Sequence, residues 1–213
     1  MKIAGLEEAG RGPVIGPMMV AGVLIDENDS EMLKEMGVKD SKMLTRKSRE
    51  SLVEKMIPVI KAYKVIEVSP SELDNENLNI ITAKRMAEII NYLNPELAII
   101  DCPSNNIKSF TKDVENFLTV PAEIKAEHKA DANYPVVSAA SIFAKVNRDK
   151  WVSDFEKKQG VRIGSGYPHD PDTVEFLKTI ISPGEPVPNY VRKKWSTVSK
   201  MLGHKKQSKL SEF

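Results

Sequence analysis

The chain has 213 residues, 41% of them hydrophobic and 29% charged, with a formal net charge of +1, a composition ordinary for a soluble globular protein with room for one full domain and a small appendage. Its single cysteine, Cys102, excludes an intrachain disulfide and any cysteine-based zinc site, and suits a reducing cytoplasm. The longest apolar run, residues 13–25, falls short of the ~20 residues a helix needs to span a bilayer, and no secretory leader is expected, so the location expected is cytoplasmic.

Residues 2–7 and 18–25 read as two strands joined by the Gly/Pro-rich stretch 10–17, which makes a hairpin. Residues 51–60 carry apolar side chains at helical spacing, with Thr45 as a cap. A strand over 63–68, a helix over 78–93 and a short buried strand, "ELAIID" at 96–101, follow. A helix over 107–117 and a strand over 122–127 lead to a long helix from 135 to about 158. Helices near 171–181 and 190–202 close the chain, with no strand after about residue 160. Strands first, then alternating strand and helix, predict an α/β fold: a mixed sheet with helices on both faces. The expected division is a catalytic domain at 1–160, a helical region at 161–204 packed on it, and a flexible tail at 205–213.

Four carboxylates stand where strands end or helices begin: Glu7, Glu8, Asp101 and Asp131. In open α/β sheets ligands gather at the carboxyl ends of strands. Glu7 and Asp101 end two separate apolar strands and converge if those strands are neighbours. Glu8 is read as opening the turn after the first strand, where the pleat no longer forces it away from Glu7. Clustered carboxylates repel one another unless cations lie between them, and oxygen ligands without Cys or His favour Mg²⁺ or Mn²⁺. Taken singly, Asp101 before Cys-Pro also fits an Asx turn, and Asp131 also fits a helix cap. Of the three histidines, scattered at 128, 169 and 204, only His128 lies near one of these acids.

Three polar stretches suit contact with a nucleic-acid backbone. Gly10 and Gly12 let main-chain amides approach a ligand. "KDSKMLT" offers Asp40, Ser41 and Lys42 before a helix, and "GSGYPHDP" presents Tyr167 on a glycine-rich loop. The last of the three also fits plain helix entry, Asp170 capping and Pro171 taking the first helical position. "VVSAASIFAK" reads as small-residue packing of the long helix on the sheet, with Ser138 and Ser141 as minor functional candidates. Between Asn189 and Lys209 stand seven Lys/Arg and no acid, a charge pattern that fits a polyanion partner or equally a solvated helix face.

Together "GLEEAGRGPVIGPMMVAGV", "VKDSKMLT", "AIIDCPS", "AEHKADANYPVVSAASIFAKVNRD" and "GSGYPHDP" resemble archaeal ribonuclease HII, the type 2 ribonuclease H. The resemblance implies a ribonuclease H-like mixed β-sheet flanked by helices with a C-terminal helical region. It also implies Mg²⁺- or Mn²⁺-dependent cleavage of RNA in RNA/DNA hybrids, and incision 5′ of single ribonucleotides in duplex DNA by two-metal hydrolysis, leaving 3′-OH and 5′-phosphate ends. By position the acidic quartet falls on Glu7, Glu8, Asp101 and Asp131. Gly10, Arg11 and Gly12 match the loop that reads the 2′-hydroxyl, Tyr167 the tyrosine that packs on the junction sugar, and Lys42 and Arg192 are candidates for phosphate contacts.

One position departs: the family motif begins Asp-Glu, and here residue 7 is Glu. The extra methylene is expected to weaken activity or to shift it towards Mn²⁺, since Mg²⁺ tolerates little deviation from octahedral distances. The last seven residues, "QSKLSEF", resemble the terminal peptide that docks the sliding clamp PCNA, with Gln207, Leu210 and Phe213 as its anchors. The expected partners are therefore RNA/DNA hybrid, ribonucleotide-containing duplex and the clamp, for a monomer acting in replication and repair. The readings in competition are a catalytically silent junction-binding protein delivered by the clamp, and a DNA-junction resolvase of the same superfold.

Overall fold

The computed structural model describes residues 1–38, 44–182 and 184–210, the side chains of 204–210 excepted. The chain folds as two compact units. The first takes Met1–Ala9, Met19–Glu67 and Asn77–Asp149; the second takes Gly10–Met18, Val68–Glu76 and the chain from Lys150 on.

The first unit is built on a five-stranded sheet in the order β3-β2-β1-β4-β5. β1 (Lys2–Ala9) and β2 (Met18–Asp26) form the expected antiparallel hairpin. β3 (Ala62–Val68) extends it beyond β2, while β4 (Leu97–Asp101) and β5 (Glu123–Glu127) run parallel to β1 on its other side. β1 is buried from Ile3 to Leu6 without alternation, as a strand covered on both faces must be. In the β1–β2 register Gly5 stands opposite Val23 and Leu6 opposite Gly22, so Gly5 and Gly22 belong to opposite faces. A Cβ on Gly22 would strike Ile89 in α4 (Leu78–Leu93), and one on Gly5 would come within 2.4 Å of the Val136 main chain in α7 (Pro135–Gln159). Helices thus cover both faces, and the first turn of α7 lies against the sheet backbone at Gly5.

Local signals explain most boundaries. Thr45 caps α2 (Arg46–Met56) by accepting the Ser48 N–H, and Asn77 caps α4, which ends at left-handed Asn94. α5 (Ile107–Glu115) lies between β4 and β5. Three short helices stand outside the expected elements: α1 (Ser30–Glu35), α3 (Pro70–Asn75) and α6 (Ala130–Asn133).

The second unit packs α8 (Pro171–Ile180) and α9 (Ser196–Leu210) around Val14, Ile15, Ile163, Leu177, Ile181, Val191 and Val198. Along its rim Trp151 stacks on Phe155, centroids 5.1 Å apart, and Phe155 meets Tyr190 at a 60° tilt, centroids 4.7 Å apart. α9 begins at Ser196, later than the expected residue 190, because the preceding segment is held in another way. Val191 bridges to Ile15, and the Arg192 N–H donates to the Val14 carbonyl. Among the described residues no helix is long and apolar enough to cross a membrane.

Candidate active site

Glu7 and Asp101 meet because their strands are neighbours. β1 and β4 pair in parallel with Gly5 opposite Ile99 and Leu6 opposite Ile100. One step further along the same register, Glu7 and Asp101 fall side by side, on the face that carries Gly5. The turn after β5 then brings Asp131, in α6, to the same point. That turn is fastened to the end of β4 at three places. The Cys102 N–H donates to the Glu127 carbonyl (2.8 Å), His128 Nδ1 to the Cys102 carbonyl (3.1 Å), and the Ala130 N–H to Asp101 Oδ1 (3.1 Å). Lys129 turns the chain in the left-handed region, φ +58°. The buried Ser138 hydroxyl, from α7, donates to the Asp131 carbonyl.

Glu7, Asp101 and Asp131 each place a carboxylate oxygen within 4.8 Å of the other two. Glu7 is 9% exposed and Asp131 6%. Burial pushes the Glu7 carboxyl well above its usual range; the Glu8 charge and the Asp101 carboxylate, as hydrogen-bond partner and charge, raise it further. Three crowded carboxylates, with no Cys or His in the set, make a hard, oxygen-only donor group of the kind that holds Mg²⁺ or Mn²⁺. The longer Glu7 side chain still reaches the other two acids. Glu8 is not one of the three acids whose oxygens converge: β1 runs on to Ala9, so Glu8 pairs with Val20 inside the strand instead of opening the turn, and its charge acts on Glu7 from there. Its N–H donates to Glu7 Oε1 (3.2 Å).

In the second unit Gly10 has φ +86°, a conformation that favours glycine, and Tyr167 lies against Gly12, where an added Cβ would come within 3.1 Å of its ring. Tyr167 is 36% exposed. Its loop is tied by Asp170, which accepts from the Ser165 N–H and hydroxyl (2.7 and 2.6 Å) and also caps α8 ahead of Pro171. Loop and cap are one device. Arg192 is placed otherwise than a phosphate ligand requires. It is fully buried, and its guanidinium donates to the carbonyls of Gly10, Arg11 and Gly16. Two anchors went unseen in the sequence. Trp195 Nε1 donates to the Gly12 carbonyl, and Asp74 accepts from the Lys193 and Lys194 N–H groups. Lys42 and Phe213, with the side chains of Gln207 and Leu210, lie outside the described residues.

A mixed five-stranded sheet flanked by helices, with carboxylates gathered at the ends of its central parallel strands, defines a protein of the ribonuclease H-like fold. The comparisons narrow this. The sequence model of ribonuclease HII matches residues 4–198. The ribonuclease HII of Pyrococcus furiosus is 43% identical over 205 residues, covering 94% of this chain and 91% of the relative. The crystal structure of ribonuclease H2 from Pyrococcus horikoshii OT3 matches with a TM-score of 0.90 and 40% identity, over 97% of this chain and 100% of that one. The RNase HII in a PCNA:RNase HII complex from Archaeoglobus fulgidus matches with a TM-score of 0.83 and 41% identity, over 93% and 96%. The chain belongs to the ribonuclease HII family, and is a ribonuclease H.

Proposed function

We propose that this enzyme hydrolyses the RNA strand of RNA/DNA hybrids and also incises duplex DNA on the 5′ side of a single embedded ribonucleotide. The observation that carries the reading is the convergence of Glu7, Asp101 and Asp131 within 4.8 Å. That trio, with Glu8 beside it, is the proposed holder of two Mg²⁺ or Mn²⁺ ions, which when bound supply Lewis acidity and an activated water. Water adds to phosphorus and the P–O3′ bond breaks, leaving a 3′-OH and a 5′-phosphate. Gly10, Arg11 and Gly12 are the proposed contact to the 2′-hydroxyl, the one group that separates RNA from DNA at a given position, and Tyr167 the proposed platform for the sugar.

The tail anchors Gln207, Leu210 and Phe213 are proposed to bind a sliding clamp, a reading supported by the related RNase HII from A. fulgidus having been solved with PCNA. The setting proposed is the cytoplasm, during replication and repair, with the enzyme as a monomer.

The test is cleavage of three matched duplexes, with one ribonucleotide, with an RNA/DNA hybrid and with DNA alone, under Mg²⁺ and under Mn²⁺. The first two are expected to be cut and the third not. Binding without cleavage under either metal would refute the hydrolytic reading, and cutting of all-DNA junctions would refute the ribose contact. Glu7→Asp is expected to raise the Mg²⁺-dependent rate, because it removes the methylene that separates this chain from its family motif. An unchanged rate would show that the longer side chain positions the cation equally well.

A further inference from the structure

Residues 10–16 are held on two sides within the same unit: the Gly166 carbonyl accepts the Val14 N–H (2.7 Å) and the Ile15 N–H (3.4 Å), and the carbonyls of Gly10, Arg11, Gly12, Val14 and Gly16 are taken by one short segment, residues 190–195. Arg192 Nη2 donates to the Gly10 carbonyl (2.6 Å), Nη1 to Arg11 (3.0 Å) and Nε to Gly16 (2.8 Å). Its own N–H takes the Val14 carbonyl (2.9 Å), and Trp195 Nε1 takes that of Gly12 (3.2 Å). From the other direction the Gly16 N–H donates to the Tyr190 carbonyl (2.7 Å). The Trp195 ring lies over the guanidinium, 4.9 Å from Cζ. The collecting segment is itself fixed by Asp74, only 8% exposed, whose two oxygens accept the Lys193 and Lys194 N–H groups at 2.8 and 3.0 Å.

The direction of these bonds matters more than their number. A trans peptide points its N–H opposite to its C=O, and no described peptide is cis. With the Gly10 and Arg11 carbonyls both turned onto the guanidinium, the N–H groups of Arg11 and Gly12 are turned away from it. Gly12 is also the residue whose Cα faces the Tyr167 ring. The fork of Arg192 therefore determines which way two consecutive amides point. A guanidinium can do this because its donors are fixed in one plane and serve several carbonyls at once, whereas an ammonium is a single point.

We infer that Arg192, held in turn by Asp74, is a positioning residue for ribose selectivity: it aims the Arg11 and Gly12 amides at the 2′-hydroxyl and touches no part of the substrate itself. The inference rests on the proposed reading of residues 10–12 as the 2′-hydroxyl contact.

The experiment measures binding of the full-length protein, in Ca²⁺ to prevent cleavage, to a duplex with one ribonucleotide and to the same duplex in DNA alone. Wild type is expected to prefer the first. Arg192→Lys, which keeps the charge and loses the fork, is expected to reduce that preference about tenfold, the order of one well-made hydrogen bond. Its affinity for the all-DNA duplex should stay within about twofold of wild type, and its Tm rise on adding Mn²⁺ alone should be retained, since the fork is expected to govern hydroxyl recognition and not phosphate contact or the acidic trio. Asp74→Asn leaves the guanidinium in place and removes one of the two matched acceptors; a loss of preference of about threefold is expected. Asp74→Asn also decides the matter should Arg192→Lys fail to fold. Full preference retained in the folded variants, or equal weakening on both duplexes, overturns the inference alone. A wild type that binds both duplexes equally overturns the ribose reading, and the inference with it.

Discussion

Replacing Glu7 with glutamine keeps the shape of the site and removes the charge the trio tolerates least. Two unit charges 4.8 Å apart, the outer limit of the trio's spacing, repel by about 3.5 kcal/mol at an effective dielectric of ~20. In metal-free protein burial first, then the Glu8 charge and the Asp101 carboxylate, keep the Glu7 carboxyl protonated well above the usual range. The sign follows from linkage. A raised native value stabilises the fold fully below the unfolded value of about 4.3, and that contribution is lost as pH rises through the native value. Glutamine has nothing to ionise, so Glu7→Gln should match wild type near pH 4 and exceed it at pH 8. The ceiling is about one pair's repulsion, roughly 3 kcal/mol, or about 6–12 °C in Tm for a chain of this size. Mn²⁺ should reverse the order, raising the Tm of wild type strongly and that of the variant little. Thermal melts in EDTA at pH 4 and pH 8, and in MnCl₂ at pH 8, make the comparison. A variant no more stable than wild type at pH 8 without metal, or one with an undiminished Mn²⁺ shift, would refute the reasoning.

Ser138→Ala deletes the hydroxyl that holds the Asp131 carbonyl and should cost about 1–3 kcal/mol in denaturant melts, with kcat falling more than KM changes. Asp170→Ala removes the acceptor for Ser165 and the cap of α8, with an expected cost of about 0.5–2 kcal/mol. Ser165 bonds depress the Asp170 carboxyl below its usual range, so this difference should be complete above about pH 4 and fade as pH falls further; a pH-independent difference would argue for packing instead. Deleting residues 205–213 should abolish clamp binding in a pull-down with PCNA and leave hydrolysis unchanged, and loss of both would make the tail part of the fold.

What could be read from the sequence was local. The hairpin, α4 and the start of α7 follow from periodicity, caps and glycines within a few residues, and Glu7 and Asp101 were placed by the rule that strand ends carry ligands. Glu8 is expected to open the turn, whereas β1 runs two residues further, to Ala9, and keeps Glu8 inside the strand. α3 does carry a local signal: Ser69 and Glu72 form a reciprocal capping box around Pro70. Arg192 was out of reach for a different reason. Its partners Gly10 and Gly16 lie 182 and 176 residues away, and Asp74 lies 119 residues from Lys193. Nothing in a stretch of basic residues tells a buried, carbonyl-bound arginine from a solvated one.

The clearance at Gly5 has a consequence for how such a site fails. α7 begins a few residues after Asp131, and its first turn lies against Gly5 with no space for a methyl group. Two residues further along β1 stands Glu7. An alanine at position 5 would carry no charge and form no bond, yet it would wedge the helix away from the strand and draw Asp131 out of reach of Glu7. A survey of damaging variants restricted to ionisable or hydrogen-bonding positions would overlook the residue whose contribution to the acidic centre is the absence of a side chain.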